Sequence, residues 1–324
     1  MSLHKDRISS GQLLGLIGCL AGMHLPVSLA GAAEAQADPK AEPEIVKISV
    51  DRSTPDGISR FETGVTHTQY SLDAWGDAAS IERGKKLLMA ACRYQNQHIM
   101  GWGAGNPEPS PGVYNWADLD RRLTLVRSMK AIPVITLCAA PDWMKGGQPG
   151  KTDWSKIEVA PLPEHFDDFA SLAKKVAQRY PDVKHFQVWN EMKGFWKPAS
   201  NNWNSVAYTE LYNKVYDALK SVNPDIKVGG PYLVIEGTGS NQGDWATEPP
   251  IRQRQWEVIN YWLEHKHGAD FITLDKGLKS FHDKKTYSDD ELMALTHWFG
   301  DVARQIREKT GLPLWWAEYY GTPR

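Results

Sequence analysis

Cysteine is scarce: the 324-residue chain has three, too few for a disulfide framework at this size. Neither sign of charge dominates. Thirty-seven Lys and Arg stand against 39 Asp and Glu, so the clustered basic excess that would bind nucleic acid is missing. No apolar run reaches the roughly 20 residues that span a bilayer. No G-x-G-x-x-G follows the first predicted strand, which removes the usual dinucleotide-binding signature. Hydrophobic residues, in contrast, make up 41% of the chain, enough for a sizeable core in one large domain or two small ones. Tryptophan is abundant at 14 copies. Its flat apolar ring with a single N–H suits either core filling or stacking against a ring-shaped ligand.

The N-terminus reads as an address. His4, Lys5 and Arg7 form a basic start, an apolar run follows from Leu13 to Leu20, and small residues crowd at Ala30 to Ala35. This pattern predicts a secretory signal peptide over residues 1–35, a polar linker over 36–44, and export to the periplasm or beyond. The stretch Leu16-Ile17-Gly18-Cys19 offers a second reading, a lipoprotein signal with an acyl chain on Cys19. Cys92 and Cys138 then remain, best read as two free buried thiols.

Over residues 45–324 the chain alternates strand and helix. Strands are expected at Glu62–His67, His98–Trp102, Pro133–Leu137, His185–Trp189, Ile226–Gly229, Phe271–Leu274 and Leu314–Ala317. Helices follow the first six, near Ile81–Tyr94, Trp116–Met129, Glu164–Tyr180, Tyr208–Val222, Arg252–His265 and Asp289–Thr310. Short apolar strands that alternate with helices make a parallel sheet. A doubly wound sheet and a (β/α)8 TIM barrel both fit. The barrel is favoured because polar and aromatic residues sit at the C-terminal ends of several strands, where barrel enzymes carry their chemistry. Arg324 lies six residues past Glu318, so the expectation is a barrel truncated after its seventh strand.

Two acids stand out. The fourth strand runs into Gln187-Val188-Trp189-Asn190-Glu191, and alternation puts Gln187, Trp189 and Glu191 on one face. The seventh reads Leu314-Trp315-Trp316-Ala317-Glu318, which puts Leu314, Trp316 and Glu318 together. Strands four and seven lie opposite each other in a barrel, so two carboxylates would face one cavity. Glycoside hydrolysis needs that pair, one acid protonating the leaving oxygen and one carboxylate attacking or stabilising the oxocarbenium ion.

Trp189-Asn190-Glu191 and the later Glu318 resemble the retaining glycosidases built on (β/α)8 barrels. Within that clan the chain is most similar to glycoside hydrolase family 39, the β-xylosidase and α-iduronidase family. The resemblance also rests on Leu119-Asp120, Pro141-Asp142-Trp143-Met144, Phe195-Trp196 and Val228-Gly229-Gly230-Pro231, in that order along the chain. It implies Glu191 as acid/base, Glu318 as nucleophile, and Asn190 as a hydrogen-bond partner of the sugar 2-hydroxyl. It also implies a retaining, β-xylosidase-like enzyme. The sequence departs from the family after strand six, where members usually carry a histidine and an aromatic residue and the matching stretch Ile272 to Gly277 has Asp275 near the histidine position.

Candidate sugar contacts are His67, Trp102, Trp143 and Trp196 at strand ends, and Trp316 on the Glu318 face, each with core or rim packing as the alternative. His265 and His267 flank Lys266 without a carboxylate cluster, so neither a metal nor a cofactor is expected. The expected partner is an oligo- or polysaccharide. An endo-acting hydrolase and a non-catalytic carbohydrate-binding protein on a decayed barrel are the competing readings. The polar loop over 236–250 is a candidate to shape the substrate site.

Overall fold

The computed structural model describes residues 61–73, 76–235, 250–278 and 286–320, with isolated positions between 47 and 59. The expected leader with its Cys19, the linker at 36–44 and the loop at 236–249 lie outside the described residues. The fold resides in the compact unit Ser59–Arg324. No helix among the described residues is long and apolar enough to cross a membrane.

Seven parallel strands form one sheet: β1 (Gly64–Thr66), β2 (Tyr94–His98), β3 (Ile132–Leu137), β4 (His185–Val188), β7 (Lys227–Ile235), β8 (Phe271–Gly277) and β9 (Leu314–Tyr320). They are neighbours in chain order, as in a (β/α)8 barrel. A small hairpin, β5 (Trp196–Lys197) and β6 (Asn202–Trp203), interrupts the loop after β4. The helices are α1 (Ala78–Ala91), α2 (Ala117–Ser128), α3 (Phe166–Arg179), α4 (Ser205–Val222), α5 (Gln253–His265), α6 (Asp289–Leu295) and α7 (His297–Thr310). The sheet curls until its edges approach, and the Thr66 hydroxyl on β1 donates to the Ala317 carbonyl on β9 at 3.1 Å.

Local sequence explains most elements. Helix α3 buries Phe166, Phe169, Ala170, Ala173, Val176 and Ala177 at helical spacing, with Asp167 and Asp168 in its first turn to complement the dipole. Helix α7 ends at Gly311, whose φ of 65° closes the last turn at no steric cost. The helix expected over Asp289–Thr310 is two, α6 and α7, meeting at Thr296. Ser288 and Glu291 cap α6 reciprocally and fix its start.

The second strand departs from the expectation. It runs over Tyr94–His98, four residues before the expected start, and α1 stops at Ala91. Its Gln-Asn-Gln centre looks unfit for a core, yet all three side chains are buried. Each finds partners, which offsets the desolvation cost. Gln95 pairs with His67 at 2.8 Å and Gln97 accepts from Arg122 at 2.9 Å. Asn96 points inward, donating to Thr66 at 3.2 Å and accepting from Thr136 at 2.9 Å, while Gln187 donates to Thr136 at 3.2 Å. A polar belt thus runs inside the barrel from β9 through β1, β2 and β3 to β4.

Below the belt, aromatic rings from the strand starts close the barrel. Trp315 stacks on Phe271 at 4.3 Å and on His185 at 5.3 Å, with Tyr94 edge-on at 5.1 Å. Gly229 makes room for them, since a Cβ there would lie 2.0 Å from the Phe271 ring. One end of the barrel is therefore sealed by hydrocarbon, and the C-terminal end is left for polar groups.

Candidate active site

The strand ends on that open side surround a cavity of about 220 Å³. Thr66 and Thr68 enter from β1, His98 and Trp102 from β2 and its loop, Asn190, Glu191 and Lys193 from the turn after β4, and Glu318 from β9. A larger concavity, about 480 Å³, lies beneath the starts of β4 and β7. No acid lines it, so it cannot assemble an acid–base pair.

Glu191 does not reach the cavity by simple alternation. The strand ends at Val188, and Trp189, Glu191 and Met192 take φ values of 67°, 49° and 50°. Left-handed backbone at three non-glycine residues is costly and persists only where packing imposes it. Trp189 provides that packing. It swings out of the barrel and is fully buried between Phe169 and Phe195, at ring distances of 5.7 and 5.9 Å. Its indole N–H donates to the Lys193 carbonyl at 2.7 Å, which clamps the turn. The expectation that Gln187, Trp189 and Glu191 share a face is corrected: the coiled backbone sends Trp189 outward and Glu191 inward.

A bulge does the same for Glu318. Leu274 pairs with Trp316 and Asp275 with Glu318, so Ala317 is an extra residue in β9. The insertion shifts the side-chain phase by one. Trp316 therefore packs edge-on against Phe299 of α7, outside the barrel, and Glu318 turns in. Across β8, a matching irregularity leaves Tyr232 as the extra residue of β7, with φ 48°. Its hydroxyl donates to Glu318 Oε1 at 3.1 Å. Burial, reinforced by the Glu318 carboxylate, holds the phenol well above its ordinary pKa, so it remains a donor.

Oxygens of Glu191, Asp275 and Glu318 lie within 4.8 Å of one another. Such convergence is also what a cation would need, but the Lys193 ammonium already sits 2.8 Å from Glu191 Oε2 and supplies positive charge there. His98 is fully buried, and that burial pushes its pKa down to about 4. The neutral ring lies 3.4 Å from the Asn190 side-chain oxygen Oδ1 and tilts against Trp102 at 4.3 Å.

The structure brings Glu191, Glu318, Asn190 and Trp102 together at the cavity. It places the other candidates elsewhere. His67 is buried behind the cavity wall against Gln95. Trp143 is buried and donates to the Glu108 carbonyl at 2.9 Å. Trp196 is exposed on the small hairpin, edge-on to Trp203 at 5.4 Å. Sequence reasoning missed His98, Lys193 and Tyr232. A basic residue two positions after Glu191 was a usable signal. Tyr232 gave none, because its direction comes from the bulge.

Replacing Tyr232 by Phe removes one charge-assisted hydrogen bond and leaves the ring. Such a bond is worth about 1.5–3 kcal/mol, so the expected result is a loss of roughly ten- to a hundredfold in kcat with the fold intact. Steady-state kinetics with a melting curve checks this, and an unchanged kcat rejects the role.

Residues 106–323 match the family model described as glycosyl hydrolases family 39. A curated β-xylosidase of Geobacillus stearothermophilus is 26% identical over 184 residues, which cover 54% of this chain and 32% of that protein. Among solved structures, a monomeric β-xylosidase from Caulobacter crescentus CB15 superposes with a TM-score of 0.55 at 21% identity, covering 81% of this chain and 52% of that one. A GH39 enzyme from Xanthomonas axonopodis pv. citri gives 0.53 at 20% identity, covering 82% and 52%. The chain thus matches about a third of the length of the curated relative and about half of each solved one.

Proposed function

The chain belongs to glycosyl hydrolases family 39, and from that premise we propose that it is an exported retaining glycosidase acting on a β-linked saccharide, with β-xylosides as the first substrates to test. One observation carries the reading: two glutamates from opposite sides of a barrel present oxygens within 4.8 Å of each other over a cavity at the strand C-termini. An approach of that kind suits the close pair of a retaining enzyme, whose carboxyl groups stand roughly 5–5.5 Å apart.

Each role follows from the surroundings. Glu318 is the nucleophile: the Tyr232 hydroxyl donates to its Oε1 and orients the carboxylate in the cavity for attack on the anomeric carbon. The C–O bond to the leaving group breaks as the bond to Glu318 forms, and the leaving oxygen takes its proton from Glu191. Water then gives a proton back to Glu191 and releases the sugar from Glu318. Asn190, its side-chain oxygen turned to His98, keeps amide N–H groups for a sugar hydroxyl. A bond of that kind raises the rate to the extent that it tightens in the transition state. Trp102 offers a flat apolar wall. The basic, apolar and small-residue order of residues 1–35 supports export.

The stereochemical course tests the reading. Hydrolysis of an aryl β-xyloside, followed by proton NMR from the first turnovers, is expected to show the β-anomer first and the α-anomer only by mutarotation. The α-anomer appearing first would refute double displacement.

A further inference from the structure

Lys193 is the positive charge against the proposed acid/base, and its surroundings make it more than a surface lysine. Its ammonium lies 2.8 Å from Glu191 Oε2 and 2.6 Å from Glu158 Oε1. Glu191 is only 10% exposed, whereas Lys193 and Glu158 are 32% and 56% exposed. The lysine therefore bridges a nearly dry carboxylate to a wet one. Exposed ion pairs contribute little when both partners are free to move. Here the lysine backbone is fixed: its carbonyl accepts from the buried Trp189 indole at 2.7 Å and its N–H donates to the Asn190 carbonyl at 3.0 Å.

The other groups around Glu191 define what Lys193 works against. Asp275 on β8 and Glu318 on β9 bring two carboxylates within 4.8 Å. His98 on β2 is neutral because burial keeps it so. Tyr232 on β7 and Cys138 after β3 also lie within electrostatic range, and burial holds both protonated. Among the described residues, the Asp275 and Glu318 carboxylates favour the protonated form of Glu191, and the Lys193 ammonium favours the ionised form.

We propose that Lys193 is a positioning residue that sets the proton affinity of Glu191 and so places the alkaline limit of activity, with Glu158 drawing off part of its charge. The proposal rests on the reading of Glu191 as acid/base. The sign follows from the chemistry. The first step needs Glu191 protonated, so kcat/KM falls as pH rises through the Glu191 pKa of the free enzyme. A cation beside Glu191 lowers that pKa and moves the fall to lower pH. Removing the cation moves it up, and removing the anion that shares the cation moves it down.

The experiment is the pH profile of kcat/KM on an aryl β-glycoside for Lys193→Met, Lys193→Arg and Glu158→Gln, with Glu191→Ala and azide alongside. Lys193→Met is expected to raise the alkaline limb by about one pH unit, the lower end of what a neighbouring opposite charge imposes. One unit above the wild-type limit, it then keeps about fivefold more of its own maximal kcat/KM than wild type does. Lys193→Arg retains the cation and leaves the limb in place, and Glu158→Gln shifts it the opposite way. A limb unmoved in Lys193→Met, or moved the same way in Glu158→Gln, overturns the proposal. If Lys193→Met fails to fold, the direction of the Glu158→Gln shift decides. Glu191→Ala separates the two failures. Azide rescue with no limb shift sinks the role of Lys193 alone, and absence of rescue sinks the acid/base assignment beneath it.

Discussion

Glu318→Ala is expected to lose turnover on aryl β-glycosides by on the order of 10⁴–10⁶-fold, the range in which removal of a covalent nucleophile falls. The physical reason is specific to this cavity. Attack needs an oxygen held at the anomeric carbon, and the β9 bulge at Ala317 and the Tyr232 hydroxyl hold Glu318 in the cavity where the proposed attack takes place. Alanine removes the attacking group and opens a gap the size of a carboxylate. Azide fits that gap and attacks from the same side, so added azide restores turnover and yields a glycosyl azide of inverted configuration. Kinetics with and without azide, and NMR of the product, test both halves. Wild-type-like turnover would dismiss the assignment, and an azide product of retained configuration would move the nucleophile elsewhere.

Glu191→Ala has a different signature. Loss of a general acid costs roughly 10²–10⁴-fold where the leaving oxygen needs a proton. It costs little where the leaving group is already stable as an anion. Alkyl β-glycosides should therefore lose most, and nitrophenyl glycosides should keep a fast first step but accumulate the glycosyl-enzyme, because Glu191 is no longer there to activate water. Azide then releases that intermediate with retained configuration. The same loss for every leaving group would show that Glu191 acts on binding or folding instead. The two variants give opposite stereochemistry with one reagent, so exchanged roles would be visible at once.

The architecture was largely legible along the chain. Runs such as Ile132–Leu137 and the spacing of Phe166, Phe169, Ala170 and Ala173 carry their own periodicity, and neighbouring units in sequence became neighbours in space. The errors came where one residue's state depends on distant ones. The expected second strand starts at His98 and omits Gln95, Asn96 and Gln97, whose partners His67, Thr66, Thr136 and Arg122 come from other elements. Trp316 was placed beside Glu318 by a period of two that the bulge at Ala317 breaks.

The same contrast divides the site. Sequence by itself determined that Glu191 and Glu318 fall near the C-terminal ends of two strands of an alternating chain, because strand ends are written locally in apolar runs and their stops. Tertiary structure decided which way those side chains face and what surrounds them. A left-handed turn braced by Trp189 aims Glu191, the β9 bulge aims Glu318, and the β7 bulge aims Tyr232. Tyr232 reaches Glu318 from 86 residues away. Asp275 and Lys193 then set the balance of charge. Direction and electrostatic neighbourhood are properties of packing between distant segments, which a pattern with a period of two or 3.6 residues does not carry.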